Sequence, residues 1–317
     1  MYAGPKAVFH ALSRSAWLKR LATGYGMRSP GGFARRFIAG NTIDETIDVA
    51  RRLESQGRLL TLDYLGESVT TIEGATAVTA EYVRLLDVIV AAGIERNISL
   101  KLTQLGAAVD RATCVDNLRR VLEPAGTQGF FVRIDMENST WTELTLEVFE
   151  TLWQQEYRNL GIALQAALRR TEGDVTRMNE LGARVRLVKG AYKEPATAAH
   201  QRKADVDAAF VRLMRLLLDF GTQPAIATHD PAMIDATKDY AAREDIAKER
   251  FEFQMLYGIR RDLQASLVTR DYRMRVYVPF GREWFPYFMR RLGERPANLG
   301  FVVRGILSER EPPEPSG

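Results

Sequence analysis

The sequence predicts an α/β fold in which eight parallel strands alternate with helices and close into a single (β/α)8 barrel. Three observations carry this. Eight short apolar or alternating runs recur between residues 59 and 279, stretches with helical spacing separate them, and no long compositional break divides the 317-residue chain. A doubly wound sheet shares the alternation but typically uses fewer strands.

The expected strands are Leu59–Leu65, Ile98–Gln104, Phe130–Glu137, Leu160–Ala166, Val185–Val188, Ala225–His229, Phe251–Leu256 and Met274–Pro279. Between them, Thr76–Ala92, Asp116–Leu122, Leu144–Gln155, Val175–Leu181, Ala204–Phe220, Ala232–Ala242 and Asp262–Ser266 read as helices, and Phe285–Glu294 adds one more after the last strand. Residues 58–307 are thus the expected barrel. In residues 1–57, Val8, Phe9, Leu12, Ala16 and Leu21 recur near helical spacing. The segment reads as helices packed on the barrel, with a membrane-surface anchor or an organelle transit peptide as alternatives. Ser308–Gly317 is charged, carries Pro312, Pro313 and Pro315, and is expected to be a disordered tail.

Composition narrows the function. Hydrophobic residues at 46% and charged residues at 26% exclude a disordered chain or a collagen-like fibre. The single Cys114 cannot form an internal disulfide, and no apolar run approaches the roughly 20 residues of a membrane-spanning helix. The net charge is +4, but residues 1–43 hold seven basic residues and no acid, leaving 37 positives against 40 acids in the rest. A nucleic-acid partner would call for basic residues spread over the body of the fold, so none is expected.

Alternation along the strands locates the chemistry. In the third run Val132, Ile134 and Met136 oppose Arg133, Asp135 and Glu137; in the eighth, Met274, Val276 and Val278 oppose Arg275 and Tyr277. The outer helices require the apolar face, so the lumen collects Lys101, Asp135, Gln165, Arg186, Gln254 and Tyr277. A barrel kept for structure alone fills its lumen with Val, Ile and Leu. These polar groups therefore form either internal ion pairs or a ligand site at the C-terminal mouth. Arg290 and Arg291, near the end of the last helix, suit a carboxylate or phosphate there, or else form a solvated basic pair. No metal is expected, since His10, His200 and His229 show no ligand spacing, and no glycine-rich nucleotide motif is present. Cys114 lacks a histidine partner for nucleophilic work, whereas Lys101 or Lys189 could form a Schiff base, as in a barrel lyase.

Six segments in order, S-L-K-L-T-Q-L-G (99–106), R-I-D-M-E (133–137), V-R-L-V-K-G-A-Y (185–192), A-T-H-D (227–230), F-E-F-Q-M-L-Y-G (251–258) and Y-F-M-R-R-L-G-E (287–294), resemble proline dehydrogenase. The resemblance runs from about residue 58 to 305, and each motif falls at a strand or on the last helix. It implies a distorted (β/α)8 TIM barrel with extra N-terminal helices and a closing C-terminal helix, binding FAD non-covalently. The implied reaction oxidises L-proline to Δ1-pyrroline-5-carboxylate by hydride transfer to flavin N5. Electrons would pass to a membrane quinone, implying a cytoplasmic protein in peripheral contact with the inner face of the membrane.

Carried over by position, Arg290, Arg291 and Lys101 would hold the substrate carboxylate, with Glu294 pairing with the arginines. Tyr277, Tyr287 and Leu256 would wall the ring, and Asp135 would order the charged cluster. Arg186 matches the residue that approaches N5, and Met136, Gln165, Lys189, Gly190, Ala191, Thr228 and His229 match cofactor contacts. Lys189 has the opposite strand parity from Arg186, so the strand must end near Val188, and Gly190 permits the turn. Two positions depart from the pattern: Asp230 stands where many members have Asn, and Glu294–Asn298 replaces the usual Glu-Asn-Gly. The length resembles the monofunctional bacterial type, implying a separate pyrroline-5-carboxylate dehydrogenase as partner. Hydroxyproline remains an alternative substrate, with Tyr277 and Tyr287 positioned to meet its hydroxyl.

Overall fold

The computed structural model describes residues 33–66 and 69–294, of which residues 292–294 are described in backbone only. The expectations for residues 1–32, for the tail 308–317 and for the Glu294 side chain lie outside the described residues.

Eight parallel strands pair in chain order and the last pairs with the first, closing the barrel: β1 (Leu59–Tyr64), β2 (Asn97–Leu100), β3 (Phe131–Ile134), β4 (Leu160–Gln165), β5 (Arg184–Val188), β6 (Ala225–Ala227), β7 (Glu252–Leu256) and β8 (Met274–Phe280). Around them lie α1 (Ile43–Glu54), α2 (Ile72–Ala92), α3 (Arg111–Thr127), α4 (Ser139–Gln154), α5 (Thr171–Glu180), α6 (Lys203–Phe220), α7 (Pro231–Arg243) and α8 (Arg261–Thr269), with α9 (Trp284–Glu294) after β8. Thr71 and Asp110 cap α2 and α3 by accepting the amides of Gly74 and Thr113 at 3.1 and 2.9 Å. α3 starts five residues before the expected Asp116 and continues through Pro124 to bury Ala125.

The outward strand face and the helices form the main core, which includes Leu60, Leu62, Ile98, Leu100, Val132 and Ile134. Burying each such side chain contributes about 1.5–3 kcal/mol. The second, third and sixth strands are shorter than their apolar runs. After Leu100 the chain turns into a 3-10 helix, Leu102–Gln104, because side chains take over its backbone groups. The Glu137 carboxylate accepts the Thr103 amide at 3.2 Å, and Gln104 Oε1 accepts the Lys101 amide at 3.1 Å. These bonds replace a ladder and hold Lys101 at the rim of the lumen.

The polar lumen divides into two layers, ion pairs toward the bottom of the barrel and an open cavity at the C-terminal mouth. Toward the N-terminal ends of the strands, Arg275 donates to Glu252 through Nε at 2.8 Å and Nη2 at 3.1 Å, and to Glu95 at 2.6 Å. Arg133, 4% exposed, donates to the carbonyl of Arg184 at 2.8 Å. A side chain at Gly161 would meet Phe131 and the Arg184 carbonyl below 3 Å, so only glycine leaves room for that guanidinium. This layer is a structural ion-pair plug.

Burial disfavours the Glu252 carboxylate, yet Arg275 holds its carboxyl below the usual range. The unfolded chain therefore takes up that proton first. The contribution is full above the ordinary carboxylate range and is lost as pH falls through the lowered value. Glu252→Gln is expected to cost about 2–3 kcal/mol at neutral pH by leaving Arg275 only the partly exposed Glu95 as counter-charge. The variant should also lose less stability than the parent on acidification; urea melts across pH test both effects.

The C-terminal mouth is covered differently. Residues Phe33–Arg36 form a short 3-10 helix, and the chain then runs along the end of β8, with Ala39 donating to Pro279 O and Gly281 to Gly40 O, both at 2.9 Å. Phe37 packs on Phe288 of α9 at 6.1 Å between ring centroids, in a second apolar cluster with Trp284, Tyr287 and Tyr277. α9 is thereby fixed beside the open end of the barrel.

Candidate active site

Above the ion-pair plug a cavity of ≈380 Å³ opens toward α9. β5 contributes Arg186, which is 4% exposed and spends its whole guanidinium on the barrel floor. Nη1 donates to Asp135 Oδ1 at 2.5 Å, Nε to Gln254 Oε1 at 2.6 Å and Nη2 to Ser99 Oγ at 2.9 Å. Gln254 Nε2 in turn donates to Glu252 at 2.5 Å, so the plug below orients the cation above.

On the opposite wall Tyr277 Oη donates to Asp135 Oδ2 at 2.6 Å. Burial, reinforced by the Asp135 charge, raises the Tyr277 phenol well above its usual value, so it stays a donor. Lys101 Nζ lies 3.1 Å from Asp63 and 3.7 Å from Asp135. Asp63 is fully buried on β1; burial raises its carboxyl, with Asp135 adding and Lys101 opposing. Two carboxylates and two cations thus balance on the floor, while Arg290 and Arg291 of α9 bring positive charge to the cavity from above. Arg291 is 9% exposed, with its guanidinium 5.0 Å from the Tyr287 ring centroid. Such a space suits a small molecule that is anionic at one end.

Fifteen of the sixteen expected site residues line this one cavity, the sixteenth being Glu294. Met136 and Gln165 line one side, with Lys189, Gly190 and Ala191 at the end of β5 and Thr228 and His229 after β6. Leu256 and Tyr287 complete the wall near Tyr277. As expected, β5 ends at Val188 and the chain turns at Gly190, whose φ is +109°. A side chain there would come within 3.2 Å of Ala167 Cβ and 3.5 Å of Gln165 Oε1, inside the cradle. Gln165 Nε2 is committed to the carbonyls of Glu137 and Met136, at 2.8 and 3.3 Å, which leaves Oε1 as a buried acceptor with no hydrogen-bond partner among the described residues. His229 Nε2 accepts the Leu256 amide at 2.9 Å.

Three participants escaped the sequence reading: Asp63, Ser99 as a partner of Arg186, and Asp207, which pairs with Lys189. Cys114 is buried on α3, and burial, with Glu137 and Asp110 adding, pushes its thiol up to about 12, against any nucleophilic role.

The family model described as proline dehydrogenase matches residues 46–304. Proline dehydrogenase 2 of Bacillus subtilis (strain 168) is 41% identical over 301 residues, spanning 95% of this chain and 98% of that protein. The chain belongs to the proline dehydrogenase family. It is accordingly an oxidoreductase of proline catabolism. The proline dehydrogenase of Deinococcus radiodurans is 41% identical over 278 residues, spanning 86% of this chain and 90% of that one. Among solved structures, proline utilization A from Bdellovibrio bacteriovorus, inactivated by N-propargylglycine, superposes with a TM-score of 0.80. It is 27% identical, and the match covers 98% of this chain and 37% of that longer one.

Proposed function

We propose that the protein oxidises L-proline to Δ1-pyrroline-5-carboxylate with non-covalently held FAD and passes the electrons to a membrane quinone. The observation that supports this best is the buried Arg186–Asp135–Tyr277–Lys101 cluster, set beneath two arginines in a cavity of ≈380 Å³. The residues present fit a flavin: Gln165 Oε1 is an acceptor suited to a ring N–H, and Gly190 keeps the cradle clear. Gln165, Met136 and Thr228 would hold the ring system, and Lys189, Gly190, Ala191 and His229 the remainder. When bound, FAD supplies the hydride acceptor for the ring carbon next to nitrogen.

The chain's own groups do the rest. Arg290 and Arg291 fork the substrate carboxylate, while Tyr277, Tyr287 and Leu256 confine the apolar ring. Proline arrives as a zwitterion, and its nitrogen assists hydride loss only when neutral. Arg290 and Arg291 add their charge to Arg186 and Lys101 against the two carboxylates Asp63 and Asp135, and this positive excess disfavours the ammonium form, whose proton leaves to solvent. Arg186 also stabilises negative charge that develops on the cofactor side of the cavity. We further read the described residues 58–294 as the catalytic barrel with its closing helix, and residues 33–57 as a segment packed on it. The protein would act in the cytoplasm at the inner membrane face, and a separate pyrroline-5-carboxylate dehydrogenase would consume the product.

The Schiff-base alternative finds no support in the geometry. Lys101 and Lys189 are each ion-paired to two carboxylates instead of lying in the apolar surroundings that activate an amine. Steady-state turnover with a soluble quinone analogue tests the proposal: L-proline should be consumed with equivalent quinone reduction, and no proline-dependent reduction would refute it.

A further inference from the structure

At the outer edge of the cavity the β5 wall carries a closed set of charges. Lys189 Nζ hydrogen-bonds the Asp207 carboxylate of α6 and Asp230 Oδ2 at 2.7 Å. Lys203, one helical turn before Asp207, pairs with the same carboxylate and lies 3.5 Å from Asp230. The quartet is more solvated than the floor: the side chains of Lys189, Asp207 and Asp230 are 24%, 21% and 27% exposed and Lys203 is 75% exposed. Two ammonium groups against two carboxylates leave this rim electrically neutral.

That balance matters because Lys189 and Asp230 both line the cavity. Resting on the flavin reading above, a dinucleotide whose ring fills the cavity brings two phosphate charges toward its solvated edge. The other lining cations are committed elsewhere, with Lys101 and Arg186 on the floor against Asp63 and Asp135, and Arg290 and Arg291 on the closing helix. Among the described lining lysines and arginines that leaves Lys189, at the end of β5, and its charge is already answered twice.

We propose that Asp207 and Asp230 compete with the cofactor's diphosphate for Lys189, and so set how tightly the protein holds FAD. Two of the three N–H donors of Lys189 are already taken, so a phosphate must either share the ammonium with two carboxylates or displace one, and displacement also loosens the tie that Lys189 makes between β5 and the N-terminal ends of α6 and α7. The two aspartates thus lower affinity for the diphosphate portion and leave the ring portion unaffected.

Asp230 allows a clean test because its two oxygens do different work. Oδ1 caps α7 by accepting the Ala232 amide at 3.1 Å, and Oδ2 carries the ion pair. Asparagine caps a helix as well as aspartate does, so Asp230→Asn removes the charge and keeps the cap. Flavin release from the full-length holoprotein on dilution, followed by flavin fluorescence, should show FAD held roughly two- to fivefold more tightly in D230N, the size expected of one partly exposed ion pair. Riboflavin, which lacks phosphate, should bind both proteins equally, and FAD affinity should fall more steeply with salt in the variant. Asp207→Asn, the second variant, should shift FAD in the same direction. Equal or weaker FAD retention in both variants would overturn the inference. A parent protein that retains neither FAD nor riboflavin would overturn the flavin reading beneath it.

Discussion

Arg290→Lys and Arg291→Lys are each expected to raise KM for L-proline by about 10², with kcat falling far less. A guanidinium presents parallel N–H donors that match both oxygens of a carboxylate, whereas an ammonium offers one compact charge. Both arginines line the cavity, and Arg291 is 9% exposed, so the contact forms where water competes poorly. Losing one such fork at about 2–3 kcal/mol corresponds to that change in KM. In the proposed binding mode the arginines hold the carboxylate, which does not react, so ground and transition states lose the contact equally. Steady-state kinetics over a wide proline range separate the constants, and a KM within threefold of the parent in both variants would remove the substrate role.

Arg186→Lys should act on the other constant, lowering kcat by about 10²–10³ with a modest change in KM. All three guanidinium nitrogens are used, toward Asp135, Gln254 and Ser99, and the group lies 5.3 Å from the Tyr277 ring centroid. A lysine retains one of those bonds at most and moves the charge off its fixed position. It also strands Gln254 Oε1, which sits 3% exposed at the top of the plug, so a stability loss of about 1–3 kcal/mol should accompany the kinetic defect. The asparagine variant of Asp135 should reproduce part of the kinetic loss, because it weakens the ion pair and alters the partner of Tyr277.

The barrel and most of the site were legible because both follow from alternation. A parallel strand buried on its outer face must be apolar at every second residue, so Lys101, Asp135, Gln165, Arg186, Gln254 and Tyr277 stood out as polar intruders on the inner face. Asp63 obeys the same rule, sharing a face with Thr61 opposite Leu60 and Leu62, so its signal was present in the first strand. Alternation did not separate the two layers: Arg133 and Arg275 have the parity of Asp135 and Tyr277 yet belong to the plug. Depth along the strand decides that, and it depends on how the barrel closes.

The strand ends were harder for a related reason. Leu100 ends β2 because Glu137 and Gln104 capture backbone amides; Gln104 acts from three residues beyond Lys101, but Glu137 lies 34 residues beyond Thr103 and has no local sequence marker. Asp207 reads from sequence as an ordinary helix-surface partner of Lys203, four residues earlier. Only the docking of α6 beside the end of β5 brings it to Lys189. The placement of Arg290 and Arg291 likewise depends on α9 packing against Phe37 and Tyr277 across the mouth.

The most direct test of the central claim is the visible spectrum of the purified, flavin-loaded protein, recorded anaerobically before and after L-proline is added. Hydride transfer into this cavity predicts a yellow protein whose flavin band bleaches in proportion to the proline added. A flavin band unchanged by proline, or a protein that takes up no flavin at all, would contradict it.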